Sequence, residues 1–198
     1  MDPKNGGEDG ALRITLQPPA LILVIGVAGS GKTTIARGLV SAVHAAYFDK
    51  DVLTDAFFPA SRGRAYEELR PRLYAALYAL VEENLRLGTS VVLDAPHVKE
   101  MADPAWRREM VDLAVRAGAG LTVVRCHCRE PILRRRLEER AEPRDRWKLE
   151  NWDRFVTEQP PRGPIPLDHL DVDTERPPEQ NVRAVLDALI ARSARSPR

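Results

Sequence analysis

The sequence predicts an α/β fold in which a doubly wound, parallel five-stranded sheet carries helices on both faces. Short runs of apolar, often β-branched residues alternate along the chain with longer segments of helical period. The first of these runs leads into a glycine-rich loop that is followed at once by a helix. Strands that alternate with helices in this way favour parallel pairing, with crossover helices covering both sides of the sheet.

The strands and helices follow in a regular order. Ile35, Leu39 and Val43 repeat at helical spacing, Gly88 ends the longest helical segment, and Asp103 precedes a proline in the arrangement that begins a helix. The strands are predicted at Leu21–Ile25, Ala45–Phe48, Ser90–Leu93, Leu121–His127 and His169–Val172. The helices are predicted at Lys32–Val43, Val52–Phe57, Tyr66–Leu87 with Pro71 near its start, Pro104–Ala117, from Glu130 onward, Arg144–Glu158 and Pro178–Ala191.

Length and composition indicate one domain. The chain has 198 residues, of which 43% are hydrophobic and 30% charged. We expect a single domain over residues 13–192, with a lid region near 129–160 and flexible tails at 1–12 and 193–198.

Charge and apolar runs limit the partners. The 30 basic and 29 acidic residues nearly balance, which argues against a general nucleic-acid or membrane surface. The longest apolar run, Ala20–Ala28, is too short to span a bilayer.

Two cysteines, Cys126 and Cys128, flank His127. They provide no disulfide framework, so we expect a reducing, cytoplasmic location. A zinc site is an alternative, but a strand would point His127 away from both thiols and no fourth ligand stands at a suitable spacing. Buried structural thiols are therefore favoured.

A phosphate-binding loop is the most specific motif. The segment from Gly26 to Thr33 matches G-x-x-x-x-G-K-[ST], with a strand before it and a helix after it. Glycines permit positive φ and a close approach of backbone N–H groups to phosphate, and the start of the following helix adds a positive dipole. Lys32 is expected to reach the β- and γ-phosphates of ATP, and Thr33 to ligate Mg²⁺. The expected nucleotide-binding residues are Gly26, Ala28, Gly29, Ser30, Gly31, Lys32, Thr33 and Thr34.

On this loop and the order of elements from Leu21 to Leu189, the chain resembles small P-loop kinases and AAA-type ATP-binding kinases. That family includes gluconate kinase-like, zeta toxin-like and polynucleotide kinase-like proteins. The resemblance implies a P-loop NTPase fold of the nucleoside-kinase type and transfer of the γ-phosphoryl group of ATP to a hydroxyl. The N-K-x-D and D-x-x-G motifs of regulatory GTPases are absent, so a regulatory GTPase is not expected.

The resemblance places the acceptor beyond the second strand. In such kinases an Asp after that strand accepts or orients the proton of the acceptor hydroxyl. Asp51 is the first candidate because it opens a short helical stretch, and Asp49 is the second; Asp51 could instead be only a helix N-cap. An Arg often follows this Asp by three residues in the family, whereas this chain has Thr54.

Arginines dominate the segment that follows. Paired guanidinium groups suit a carboxylate or phosphate, so an anionic small molecule is one expectation, and a solvated surface loop is the other. The aromatic, proline and arginine residues of this segment are Phe57, Phe58, Pro59, Arg62, Arg64, Tyr66, Arg70 and Arg72.

The third strand ends in Asp94, followed three residues later by His97. An apolar strand that ends in Asp beside a phosphate loop is typical of a metal-supporting carboxylate, so Asp94 joins Thr33 in the expected Mg²⁺ site, although a simple cap is an alternative. His97 is interpreted as either a substrate contact or an ordinary loop histidine.

Seven arginines lie in residues 129–146, interleaved with acids. Charge on a transferring phosphoryl group requires a positioned cation, and we expect Arg136 and Arg140 to supply it, with Arg144 next. The alternatives are a surface helix of ion pairs and a nucleic-acid patch. By resemblance, the backbone of Asp171–Thr174 and the following Arg176-Pro177-Pro178 would bracket adenine.

The sequence thus predicts an ATP- and Mg²⁺-dependent phosphotransferase that acts on a small-molecule hydroxyl, as a monomer or homodimer. Two alternatives remain open: an ATP-gated switch with incidental hydrolysis, and a polynucleotide 5′-hydroxyl kinase, which would need a basic groove leading to Asp51.

Overall fold

Five parallel strands form one sheet, as the computed structural model of residues 13–58 and 63–194 describes them. The strands are β1 (Ala20–Ile25), β2 (Ala45–Asp49), β3 (Ser90–Asp94), β4 (Gly120–His127) and β5 (His169–Asp173). Their order across the sheet is β2-β3-β1-β4-β5, with every neighbouring pair parallel. The predicted α/β class and parallel five-stranded sheet are confirmed.

Eight α-helices connect and cover the strands within the described ranges. They are α1 (Lys32–Ala42), α2 (Lys50–Phe57), α3 (Arg64–Arg86), α4 (Pro104–Arg116), α5 (Glu130–Arg140), α6 (Arg146–Glu150), α7 (Trp152–Glu158) and α8 (Pro178–Ser193). Single 3₁₀ turns lie at Glu100–Ala102 and Pro143–Asp145. None of the described helices combines the length and hydropathy that a membrane crossing requires.

Helices pack on both faces, which confirms the doubly wound arrangement. Apolar residues of α1 and α8 cover one face of the sheet, and those of α3 and α4 cover the other. Strand β1 is buried along its whole length because it lies in the middle of the sheet with a layer on each side. A third cluster joins the phosphate loop to the segment predicted as the lid, with Val27 from the loop and Leu137 and Phe155 from that segment.

Several boundaries differ from the prediction. The helix expected over Arg144–Glu158 is interrupted at Asn151, whose φ of −123° and ψ of 48° leave the helical region. The Asn151 side chain donates to the Trp147 carbonyl at 2.9 Å, and such a local bond competes with the helical ladder. Pro71 lies inside α3, which begins earlier, at Arg64. Helix α8 continues to Ser193, the first residue of the expected tail; residues 1–12 and 195–198 lie outside the described ranges.

Candidate active site

The loop after β1 has the backbone geometry of a phosphate cradle. Gly26 has φ of 143°, and a Cβ at that position would lie 2.3 Å from the Cys126 carbonyl oxygen. Gly31 has φ of 85°, and a Cβ there would press against Thr174 at 3.0 Å. Both positions require glycine for conformation and for space. The loop runs into the beginning of α1 next to the carboxyl ends of β1 and β3, where ligands bind in open α/β sheets.

Lys32 and Thr33 stand at the first turn of α1. The Lys32 ammonium donates to the Val27 carbonyl at 2.9 Å, so the side chain folds back over the loop. The Thr33 hydroxyl donates to Asp94 Oδ2 at 2.6 Å. Thr33 and Asp94, both predicted as metal-supporting residues, are therefore in direct contact. Oxygen donors of this kind suit Mg²⁺, which is usually held by one or two protein carboxylates together with water and phosphate.

Tyr47 connects the ends of two strands. Its hydroxyl lies 3.3 Å from Asp49 Oδ2 and 3.3 Å from Asp94 Oδ2, so it can donate to either carboxylate. Burial raises the pKa of Asp94 above its ordinary value, and the nearby Asp49 carboxylate raises it further, although Lys32 and the Thr33 hydrogen bond oppose this. Burial and the same two carboxylates raise the pKa of Tyr47, which keeps its hydroxyl protonated as a donor.

Asp49, rather than Asp51, is the N-cap of α2. Asp49 Oδ1 accepts from the backbone N–H of Asp51 at 2.8 Å and of Val52 at 3.3 Å. The expectation that Asp51 opens the helix is wrong in this respect, because α2 begins at Lys50 and Asp51 belongs to its first turn. The Asp51 carboxylate instead pairs with Lys50 Nζ at 2.7 Å and lies 3.9 Å from Arg144 Nε.

One cavity of about 580 Å³ joins these elements. The phosphate loop forms one end, α2 and the end of β3 form a side wall, and the segment from α5 to α6 closes over it. Its lining includes Gly29, Lys32, Thr33, Asp49, Asp51, Asp94, Arg136, Arg140 and Arg144. The predicted loop, acidic and lid residues therefore surround a single space, whose volume is typical of small-molecule sites.

The lid arginines contact different partners. Arg136 donates to the Thr174 hydroxyl at 2.8 Å and to its carbonyl at 2.7 Å, and it approaches the Gly29 carbonyl at 3.4 Å. It thus ties α5 to the phosphate loop and to the turn after β5. Arg140 is paired with the buried carboxylate of Asp145. Arg144 crosses the cavity to pair with Asp55 of α2.

His97 is buried in an aromatic cage. Its ring centroid lies 5.4 Å from Tyr74, 5.9 Å from Tyr78 and 4.8 Å from Trp106. It has a positive φ of 45°, and neither ring nitrogen has a hydrogen-bond partner within the described part of the chain. Burial lowers the pKa of His97 from 6.5 to about 3, with the charges of Lys50, Arg70 and Lys32 acting in the same direction. His97 lies in the loop after β3 and is not among the residues that line the cavity, so the structure gives no support to a substrate contact; burial and the cage hold the side chain neutral within the protein.

Two arginines of the predicted acceptor segment form ion pairs with glutamates of the protein. Arg64 pairs with Glu68, and Arg70 pairs with Glu100 beside the ring of Tyr74. Arg72 is exposed, whereas Pro59 and Arg62 lie outside the described residues.

The cysteines are buried free thiols, as predicted. Cys126 and Cys128 are both inside the protein. The described residues contain no group of three or more His, Cys, Asp or Glu side chains suited to a metal ion.

Fold and site together define a P-loop nucleotide-binding protein. The chain belongs to the AAA domain family, whose profile matches residues 21–160. Comparison with curated proteins gives no significant match.

Solved structures share the fold. A candidate kinase from Chloroflexus aurantiacus J-10-fl superposes with a TM-score of 0.69 at 21% identity, covering 86% of this chain and 98% of its own. A sugar kinase from Janibacter sp. HTCC2649 gives 0.64 at 18% identity, with 91% and 100% covered. The Mycobacterium tuberculosis APS kinase, solved with AMPPNP and APS, gives 0.56 at 20% identity, with 88% and 99% covered. At these identities the similarity establishes the fold.

Sequence reasoning missed several residues at the site. Tyr47 lies two positions before Asp49, so strand periodicity would have placed both on one face. Asp55 lies one helical turn after Asp51, a spacing that would have put both carboxylates on the same side of α2. Asp145 and Thr174 carried no signal, because their partners lie in other elements. Lys50 was missed although its partner Asp51 is the next residue, because adjacency in sequence does not by itself indicate an ion pair.

Proposed function

We propose that this protein is an ATP-dependent kinase that transfers the γ-phosphoryl group of ATP to a hydroxyl of a small molecule. One observation carries the proposal: a single cavity is lined by the phosphate loop with Lys32 at one end and by the Asp51 carboxylate beside it. A site of this composition can hold a triphosphate and a hydroxyl acceptor side by side. The small-molecule kinases among the proteins of similar fold support the same reaction class.

The nucleotide end supports binding of ATP. Backbone N–H groups of the loop and the positive end of α1 would hold the phosphates, and Lys32 would contact the β- and γ-phosphates. Thr33 and Asp94 would hold Mg²⁺, which when bound neutralises charge on the phosphate oxygens. Tyr47 would keep Asp94 oriented, and Arg136 is positioned beside the loop to stabilise the nucleotide.

Asp51 is the group that we assign to the acceptor. Both carboxylates line the cavity, but Asp49 already accepts two backbone N–H bonds, whereas Asp51 contacts side chains. In the proposed step the acceptor hydroxyl gives its proton to the Asp51 carboxylate. The oxygen of the acceptor hydroxyl then forms a bond to the γ-phosphorus. The bond between the γ-phosphorus and the β–γ bridging oxygen breaks, and ADP leaves.

The test is a screen of hydroxyl-bearing metabolites for ADP release. A kinase gives acceptor-dependent ADP release together with a phosphorylated product detected by mass spectrometry. Lys32→Ala should abolish turnover without unfolding, because Lys32 is only half-buried; Lys99→Ala, at an exposed lysine outside the cavity, is the matched control. Slow ADP release that no acceptor changes would contradict the proposal and favour the switch alternative.

A further inference from the structure

Cations at the two ends of the cavity contact different kinds of atoms. Beside the phosphate loop, Lys32 donates to a carbonyl and Arg136 donates to a hydroxyl and two carbonyls, all neutral groups. These cations can turn to an anionic ligand without leaving a carboxylate behind. The other end lies between α2 and the lid, and its cations contact carboxylates instead. We call it the acceptor end and define it by Lys50, Asp51, Asp55, Arg144, Asp145 and Lys148.

Every cation of the acceptor end has a carboxylate partner from the chain itself. Lys50 lies 2.7 Å from Asp51, and Arg144 pairs with Asp55. Lys148 donates to Asp145 at 2.8 Å. The Asp145 side chain is only 1% exposed and is shared with Arg140 from the lid helix, so withdrawing either cation would leave a buried carboxylate less well compensated.

The matched charges determine which acceptor the end can hold. An anionic acceptor that binds Lys50, Arg144 or Lys148 would have to compete with a carboxylate for that cation. It would also lie near Asp51 and Asp55, and like charges in contact are strongly unfavourable. A hydroxyl group, by contrast, can donate to a carboxylate oxygen without breaking an ion pair. The exposed Val52 side chain on the same wall adds apolar surface, which suits an uncharged carbon skeleton.

We propose that the acceptor is an uncharged polyhydroxyl compound, a proposal that rests on the proposed kinase function. An anionic acceptor was one of the two expectations from the arginine-rich segment, and the contacts at this end disfavour it. In this interpretation the Arg144–Asp55 pair sets the charge preference, because it neutralises the lid cation closest to Asp51.

The experiment uses acceptors of one skeleton and different charge. One set is glycerol, glycerate and serinol; the other is sorbitol, gluconate and glucosaminitol. Transfer from ATP is measured as kcat/KM for each compound. In the wild type the uncharged member of an accepted set should exceed its anionic and cationic counterparts by about tenfold or more, equivalent to at least ~1.4 kcal/mol.

Asp55→Asn should then shift this preference. The variant removes the closer of the two α2 carboxylates beside the Arg144 guanidinium and leaves only Asp51, which lies 3.9 Å from Arg144 Nε, so the ratio of anionic to uncharged transfer should rise by about tenfold. Glu138→Gln is the matched control: it removes a carboxylate from an exposed Arg134 pair on the lid helix, outside the cavity, and should leave the ratio unchanged.

The possible results distinguish the charge preference of the acceptor site from the kinase activity itself. A wild type that prefers glycerate or gluconate, or the amines, overturns the uncharged acceptor while leaving the kinase proposal intact. An unchanged ratio in folded Asp55→Asn removes the role of the ion pair; if that variant does not fold, the wild-type ratios alone decide. ATP hydrolysis without transfer to any of the six compounds overturns the uncharged polyhydroxyl acceptor, whereas the kinase proposal is decided separately by the metabolite screen.

Discussion

Acidification should destabilise this protein through His97. An unfolded histidine titrates near pH 6.5, whereas burial lowers the pKa of His97 to about 3 in the folded protein. Because the folded-state pKa is depressed, the unfolded chain binds the proton first on acidification. The stability is therefore fully present above pH 6.5 and is lost as the pH falls from there toward 3. Between pH 7 and pH 5 this linkage amounts to about 2 kcal/mol of unfolding free energy for one group.

The assay is urea unfolding of wild type and His97→Asn at pH 7 and pH 5. Asparagine cannot titrate and tolerates the positive φ of 45° at this position, so the variant tests the proton rather than the backbone. The variant should be less stable than wild type at pH 7, but its additional loss on going to pH 5 should be smaller by about 2 kcal/mol. His44→Asn, at an exposed histidine, should follow the pH dependence of wild type. Equal losses for wild type and His97→Asn would refute the reasoning.

Three further predictions concern the proposed reaction. Asp51→Asn should lower the rate of phosphoryl transfer by roughly 10²–10⁴-fold while ATP affinity stays near wild type, because an amide cannot take a proton. Asp49→Asn is the comparison variant, because asparagine can still cap the helix. Equal transfer rates for wild type and both variants would reject the acceptor assignment. Arg136→Ala should slow turnover by on the order of 10³ if this arginine meets the developing charge, and near-normal rates for it and for Arg140→Ala would favour the surface-helix alternative. Chelation of Mg²⁺ should abolish transfer, and Thr33→Val should raise the Mg²⁺ concentration needed for half-maximal rate; full activity in chelator would exclude the metal role.

The fold was predictable because its signals are local. The apolar composition of strand β1 and the glycine spacing of the phosphate loop are recognisable in the sequence. Asp103 accepts a hydrogen bond from the Ala105 N–H at 2.8 Å and so caps α4, as its position before a proline predicts. Boundaries were less predictable where tertiary contacts override local preference. Pro71 lies within α3 although proline disfavours helix interiors; at this position, early in a long helix packed on the sheet, the lost hydrogen bond is tolerated.

The site was predictable only in part, for the same reason. The sequence indicates that Thr33 and Asp94 share a function, and their hydroxyl and carboxylate are 2.6 Å apart. It gives no sign that Arg144 pairs with Asp55, because that contact joins the lid to α2 across 89 positions. The sequence also does not show which arginines contact neutral atoms and which already have carboxylate partners. This difference determines which arginines can pair with an anionic ligand without giving up a carboxylate.

The contacts of Asp49 and Asp51 imply a division of roles between two adjacent carboxylates. One oxygen of Asp49 is held by the first turn of α2 and the other by Tyr47, which also reaches Asp94. Asp49 is thereby fixed relative to the sheet and to the residues proposed to hold the metal. Asp51 belongs to the first turn of the helix itself, where its carboxylate lies between Lys50 and Arg144. Asp49 also caps that helix, because its other carboxylate oxygen accepts from the backbone N–H groups of Asp51 and Val52. The same carboxylate thus contacts both the residues proposed to hold the metal and the start of the helix that carries Asp51, which is why Asp49 is better suited to a structural role and Asp51 to contact with the acceptor.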